Sequence, residues 1–115
     1  MPSIHSLRGA LLGATFLLSS LIFAASAEEG PTVHQVVIEG FAFTPPVLTI
    51  AQGDSVEWIN RDIVPHTATD DDTTWDSGNL DSGQAGRVVF DTVGTHRYLC
   101  VYHPVMQGRI VVTAP

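Results

Sequence analysis

Four side chains that bind soft metal ions lie in an informative pattern in this chain of 115 residues. Cys100, His103 and Met106 follow one another at Cys-x2-His-x2-Met spacing, and His66 lies 34 positions before the cysteine. A tight loop between two strands can turn three side chains onto one ion, while the fourth comes from a distant strand end. Two imidazoles, one thiolate and a weak axial thioether are the ligand set of a type 1 copper site. The sequence therefore predicts one copper ion bound by these four residues.

Taken singly, each of these residues has an ordinary interpretation. A loop histidine is usually solvated, and a lone methionine or cysteine is more often part of a hydrophobic core. Their joint spacing favours a metal, and zinc is the main competitor for the same ligands. Structural zinc sites are closed tetrahedra, usually with more thiolates, at spacings such as Cys-x2-4-Cys. One cysteine with one methionine suits copper better, although zinc remains able to occupy such a site.

The N-terminal segment has the organisation of a secretory signal peptide. The first nine residues are weakly basic, residues 10–24 are apolar and rich in leucine, and residues 25–27 read Ala-Ser-Ala. This order of basic region, apolar region and small-x-small motif is what signal peptidase recognises. We therefore expect a signal peptide at 1–27 and a mature domain at 28–115, in the periplasm or outside the cell.

The apolar run is nearly long enough to span a bilayer, so its retention as an uncleaved anchor stays open as an alternative. With cleavage, no stable membrane insertion of the mature chain is expected. The single cysteine excludes an intramolecular disulfide. A leftover cysteine in an exported protein needs a reason, and a metal ion provides one.

The composition is acidic, which excludes two classes of partner. Five arginines and no lysine stand against twelve acidic residues, and the formal net charge is −7. Nucleic acids and anionic membrane surfaces both require a basic patch on their partner, so neither is expected to bind here. An acidic domain is instead steered towards basic protein surfaces.

Strand signals dominate the mature region. The segments with strand composition are 33–39, 48–51, 55–60, 87–90, 95–100 and 107–113. Turns rich in Gly, Asp and Pro separate them, and no apolar pattern of helical period is long enough for a sizeable helix. We expect an all-β fold, an antiparallel sandwich or barrel. Trp58 is predicted in its core, and Trp75 in a polar surface loop at 70–84, partly exposed.

On these residues the chain resembles the cupredoxins, and within them the plastocyanin and amicyanin group. The similarity covers the mature chain through the segments 41–45, 53–60, 65–67, 76–78 and 94–100 and the final strand. The ligand loop is similar to that of amicyanin, since plastocyanins have a longer gap before the methionine. Tyr102 departs from the family, because proline is common at this position. The resemblance implies a Greek-key β-sandwich of about eight strands, with copper near one end.

The resemblance also implies a role for each site residue. By position, His66, Cys100 and His103 are the equatorial ligands of the copper, and Met106 is the axial one. Asn60 matches an asparagine that ties the two ligand-bearing segments together. Such a hydrogen bond near the cysteine sulfur orients the ligand and tunes the potential of the metal.

The predicted site indicates a small blue copper protein that shuttles single electrons as copper cycles between Cu(I) and Cu(II). We expect His66 to be buried and the edge of His103 to reach the surface. Around that edge, Pro65, Pro104 and Val105 would form an apolar patch on which redox protein partners dock briefly. The mature protein is expected to be a monomer.

Copper transport, storage or resistance without electron transfer uses the same ligands and stays open as the alternative function. Carriers of that kind usually expose runs of methionine or histidine, which this chain lacks. A copper oxidase or nitrite reductase needs a second copper centre with several more histidines. Only His34, expected near the surface, and His96, expected on a strand, remain in the mature chain. We therefore expect no enzymatic activity.

Overall fold

The computed structural model describes residues 1–3, 9–22 and 30–115. Its strands are β1 (Val33–Glu39), β2 (Ala42–Thr44), β3 (Val47–Ala51), β4 (Ser55–Asn60), β5 (Thr69–Asp70), β6 (Ala85–Val89), β7 (Gly94–Leu99) and β8 (Gln107–Thr113). Within these described ranges no helix has the length and apolar character needed to cross a membrane. The all-β class predicted from the sequence is confirmed. The predicted signal peptidase motif at 25–27 lies outside the described residues.

The eight strands form two four-stranded sheets, in the orders β2-β1-β4-β6 and β3-β8-β7-β5. β1 pairs with β4 in parallel, and β3 pairs with β8 in parallel, whereas the other neighbours are antiparallel. The predicted sandwich is confirmed, but its sheets are mixed rather than antiparallel. Parallel neighbours need a crossover connection, and the chain provides one by passing through β3 of the other sheet between β1 and β4.

The strand boundaries follow the sequence pattern closely. β1, β4 and β8 have the bounds expected from the sequence, and the three other expected strands are displaced by one or two residues. β2 and β5 were not expected. They have three and two residues, which is too short to show the alternation on which strand prediction depends.

The core is built around stacked aromatic rings. Trp58 is fully buried, as predicted, and its ring lies 5.4 Å from that of Trp75 at an interplanar angle of 20°. Tyr98 packs against both tryptophans, with ring centroids 5.4 Å from Trp58 and 5.6 Å from Trp75, and its ring lies 4.6 Å from that of Phe43. Aromatic pairs of this kind stabilise by about 0.5–1.5 kcal/mol beyond their buried area. The cluster stabilises a small domain in which the described chain forms no disulfide.

The polar stretch after β4 and β5 is more ordered than a simple surface loop. Trp75 is half-buried and packs against the core, and Leu80 is buried in it, so the predicted loop contributes two residues to the core. Asp70 is also buried, and its carboxylate accepts hydrogen bonds from the Thr74 amide at 3.2 Å and the Thr74 hydroxyl at 2.6 Å. Asp71 and Asp72 remain exposed. The acidic run is therefore partly a turn-forming element.

Hydrogen bonds at one end of the sandwich anchor the two segments that carry the predicted ligands. His66 forms two backbone hydrogen bonds with Leu80, at 3.0 and 2.9 Å. The loop 100–106 joins β7 to β8, and the Cys100 amide donates to the Met106 carbonyl at 3.1 Å. Both segments are thus fixed by the backbone before any metal binds.

Candidate metal centre

Three of the predicted ligands converge on one point. The donor atoms of His66, Cys100 and His103 all lie within 4.8 Å of one another. Nδ1 of His66 is 3.6 Å from the sulfur of Cys100, and Nδ1 of His103 is 3.8 Å from it. No other group of this kind occurs in the part of the chain that the structure describes. Both imidazoles therefore present the same nitrogen to the space beside the thiol.

Met106 closes the loop that carries two of these donors. Its side chain is buried, with 3% exposure. Its amide donates to the His103 carbonyl at 2.9 Å, and the His103 amide donates to the Cys100 carbonyl at 3.2 Å. Because the Cys100 amide donates to the Met106 carbonyl, the two ends of the loop lie next to each other. Two imidazoles, a thiol and a thioether make a soft donor set that fits one copper ion at a type 1 site.

The two histidines differ in their access to solvent. His66 and Cys100 are fully buried, whereas His103 is half-buried, as the sequence predicted. The ring of Phe41 packs edge-on against both imidazoles, with centroids 5.4 Å from His66 and 5.0 Å from His103. Phe41 itself is 51% exposed. The route from the donor cluster to solvent therefore passes the edge of His103 and the ring of Phe41.

Thr67 joins the two ligand-bearing segments directly. Its backbone amide donates to the sulfur of Cys100 at 3.4 Å. Its hydroxyl oxygen accepts from the Val101 amide at 3.0 Å and also contacts the hydroxyl of Thr69 at 2.9 Å. Sequence reasoning missed this residue. Its position directly after His66 was the available signal.

Asn60, which the resemblance implies to tie the two ligand-bearing segments together, forms three side-chain hydrogen bonds. Its side-chain amide donates to the carbonyls of Val64 and Leu80, at 2.8 and 2.9 Å, and its oxygen accepts from the Asp62 amide at 2.9 Å. Among the described residues it makes no side-chain bond to the Cys100 loop. Asn60 therefore fixes the conformation of the chain that leads to His66, because it links Val64 to Leu80. The bond to the sulfur comes from Thr67.

Asp62 binds the imidazole of His66 on the side away from Cys100. Oδ2 of Asp62 lies 2.8 Å from Nε2 of His66. The same carboxylate accepts from the amides of Phe41 at 3.0 Å and Gly40 at 2.7 Å. The hydrogen bond from Phe41, followed by those from His66 and Gly40, lowers the pKa of Asp62 below its ordinary value. Sequence reasoning missed this residue too, although an acid four positions before a ligand histidine was visible.

The two other histidines that the structure describes are engaged elsewhere. His34 is half-buried, not simply exposed as expected, and its Nε2 lies 2.9 Å from Oδ2 of Asp54. His96 lies on β7, and its Nε2 bonds the carbonyl of Thr92 at 2.8 Å. Neither belongs to the donor cluster.

The mixed two-sheet sandwich and the cluster at its end define a cupredoxin. The family model of the cupredoxin-like domain matches residues 9–112, and the chain belongs to this family. Amicyanin from Paracoccus denitrificans is 32% identical over 109 residues, which cover 90% of this chain and 82% of that protein.

Two solved structures show the same similarity. A purple cupredoxin from Nitrosopumilus maritimus is 29% identical with a TM-score of 0.67, over 70% of this chain and 99% of that one. A copper-containing nitrite reductase from Thermus scotoductus is 30% identical with a TM-score of 0.68, over 76% of this chain. That match covers only 24% of the reductase chain, so it supports a shared domain and not a shared reaction.

Proposed function

We propose that this protein is an exported blue copper protein that carries single electrons between redox partners. The observation that carries the proposal is the cluster of His66, Cys100 and His103, of which one imidazole alone is half-exposed. Copper held there would accept one electron from a donor on reduction from Cu(II) to Cu(I), and would give it to an acceptor on reoxidation. In this proposal His66, Cys100, His103 and Met106 would hold the copper ion.

In this proposal the protein contributes to electron transfer by holding the ligands rigidly and away from solvent. His66 and Cys100 are fully buried, and Thr67 and Asp62 hold them by hydrogen bonds from outside the donor set. Because the backbone of both ligand segments is anchored, the donors have little freedom to rearrange when the charge of the metal changes. Such outer contacts orient the ligands of a metal and tune its potential.

The surface around His103 suits brief docking of a redox protein. In this proposal Pro65, Pro104 and Val105 form the apolar patch on which the partner docks. All three are exposed, and Val105 is 88% exposed. Phe41, 51% exposed, packs against His103. A small apolar contact of this type releases its partner quickly. The net charge of −7 steers the protein towards partners with basic surfaces.

The cellular part of the proposal rests on the N-terminal sequence pattern. A signal peptide at 1–27 is removed on export, and residues 28–115 act in the periplasm or outside the cell as a monomeric domain. The proposal includes no enzymatic activity.

The test separates electron transfer from copper delivery. We expect rapid electron self-exchange between the oxidised and reduced proteins, measured by NMR line broadening, and slow release of copper to a chelator. Slow self-exchange with rapid copper release would instead support a transport or storage protein. Val105→Asp should slow self-exchange at least about ten-fold, because it puts a charge into the apolar patch. Val93→Asp makes the same change at a residue that is 50% exposed and lies outside this patch, and it should have little effect.

A further inference from the structure

Asp62 is the point at which one ligand histidine and one surface turn meet. Its Oδ2 contacts Nε2 of His66 at 2.8 Å and the Phe41 amide at 3.0 Å, while its Oδ1 accepts from the Gly40 amide at 2.7 Å. The carboxylate is only 13% exposed and His66 is fully buried. A carboxylate that is largely buried needs several hydrogen-bond donors, and Asp62 has three.

The contact with His66 has a consequence for the other ring nitrogen. A carboxylate accepts hydrogen bonds, so the proton of the neutral imidazole lies on Nε2. Nδ1 is then unprotonated, and it is Nδ1 that lies 3.6 Å from the sulfur of Cys100. A metal ion binds the unprotonated nitrogen, so the Asp62 bond leaves the correct atom free.

The contact with the turn has a consequence for Phe41. Gly40 and Phe41 both adopt left-handed backbone conformations, with φ of 61° and 56°. That region is unfavourable for a residue with a bulky side chain, so the turn needs a compensating interaction. The hydrogen bonds that the Gly40 and Phe41 amides donate to the Asp62 carboxylate provide it. They hold the Phe41 ring perpendicular to both imidazoles, at interplanar angles of 88° and 89°.

We propose that Asp62 is a positioning residue of the metal centre, with two linked effects. Its carboxylate holds His66 as the Nε2-protonated tautomer, and it holds the Gly40–Phe41 turn that lays the Phe41 ring across His66 and His103. The negative charge also makes the His66 imidazole a stronger electron donor, which favours the oxidised metal and lowers the reduction potential. The effect on the reduction potential rests on the proposed copper function, whereas the effects on the tautomer and on the turn do not.

The first measurement is made on the metal-free protein. In 1H–15N spectra of the wild type we expect His66 as the Nε2–H tautomer, with contacts between the rings of Phe41 and His103. In Asp62→Ala we expect a mixture of His66 tautomers and loss of those ring contacts. If Asp62→Ala does not fold, Asp62→Asn takes its place in this measurement. Both oxygens of Asp62 accept from N–H groups, and the NH2 group of asparagine cannot replace one of them as an acceptor. Asp72→Asn removes the same charge at an exposed site and should leave the spectrum of His66 unchanged.

The second measurement is made with copper. We expect Asp62→Asn to bind copper about 10–100-fold more weakly in competition with a chelator, and to have a higher reduction potential than Asp72→Asn. A wild-type His66 protonated on Nδ1, or a tautomer and a copper affinity unchanged in the Asp62 variants, would overturn the proposal. Slow electron self-exchange in a protein with the expected tautomer would contradict only the electron-carrier function.

Discussion

The backbone amide of Thr67 donates to the sulfur of Cys100 at 3.4 Å, which joins the two segments that carry the predicted copper ligands. The sulfur therefore has a fixed hydrogen-bond donor inside the protein, in addition to the two imidazoles beside it. The Thr67 hydroxyl strengthens the same link, because it accepts from the Val101 amide at 3.0 Å.

Thr67→Val tests this link, because valine keeps the shape of threonine and loses the hydroxyl, which accepts from the Val101 amide and also bonds the Thr69 hydroxyl. The Val101 amide would be left without its partner, and we expect a loss of about 1–3 kcal/mol in the free energy of unfolding. Urea denaturation of the metal-free protein measures it. Thr95→Val is the control, at an exposed position on β7, and should change stability by less than about 0.5 kcal/mol. Equal stability of the two variants would mean that the hydroxyl contributes nothing.

Met106→Leu separates the role of the thioether from that of the buried side chain. The two residues have similar volumes, so we expect the metal-free protein to lose less than about 1.5 kcal/mol. The copper protein should stay blue, and its potential should rise, because an axial sulfur donor that favours Cu(II) is absent. Cyclic voltammetry measures the shift. A potential equal to that of the wild type would show that Met106 does not act on the metal.

Gly108 is required because Tyr98 lies against it in the neighbouring strand. A Cβ atom at Gly108 would lie 2.4 Å from Cζ and 2.5 Å from Oη of Tyr98. Tyr98 is 1% exposed and cannot move aside easily, and its burial also raises the pKa of its hydroxyl to about 12. We expect Gly108→Ala to cost about 1–3 kcal/mol, measured by thermal unfolding. Gly30→Ala, with no atom within 4 Å, is the matched control. Similar melting temperatures for the two variants would refute the clash.

Asp54 should make the fold sensitive to acid. The hydrogen bond from His34, followed by those from the Thr32 and Ala51 amides, lowers its pKa below the ordinary value of 3.8. A carboxyl group with a lowered pKa in the folded state stabilises the fold above its unfolded pKa, and that stability is lost as the pH falls through the folded value. Asp54→Asn should therefore be less stable than the wild type near about pH 7, and the difference should shrink below about pH 4.

Urea titrations at several pH values measure this difference. Asp91→Asn, which removes an exposed acid, is the control. The prediction fails if the destabilisation by Asp54→Asn is the same in acid as at neutral pH.

The features that depend on local patterns could be predicted from the sequence. Alternating apolar residues located β1, β4 and β8, and the spacing from Cys100 to Met106 located the ligand loop. The signal at His66 was weaker, because the fold has to bring it across 34 residues to Cys100.

The features that depend on tertiary contacts could not be predicted in this way. The partner of a hydrogen bond depends on how two distant segments meet, so the roles of Thr67 and Asp62 became visible only in the structure. For the same reason the hydrogen bonds of Asn60 to Val64, Leu80 and Asp62 became visible only in the structure. The parallel pairing of β1 with β4 depends on a crossover that no local pattern records.

The central claim is that His66, Cys100, His103 and Met106 hold one copper ion at a type 1 site. The most direct test is the optical and EPR spectrum of the domain at residues 28–115, loaded with Cu(II). We predict one equivalent of copper, an intense blue absorption from the thiolate of Cys100, and its complete loss in Cys100→Ser. Weak colour typical of a non-specific copper adduct, or intense colour that persists in Cys100→Ser, would contradict the account.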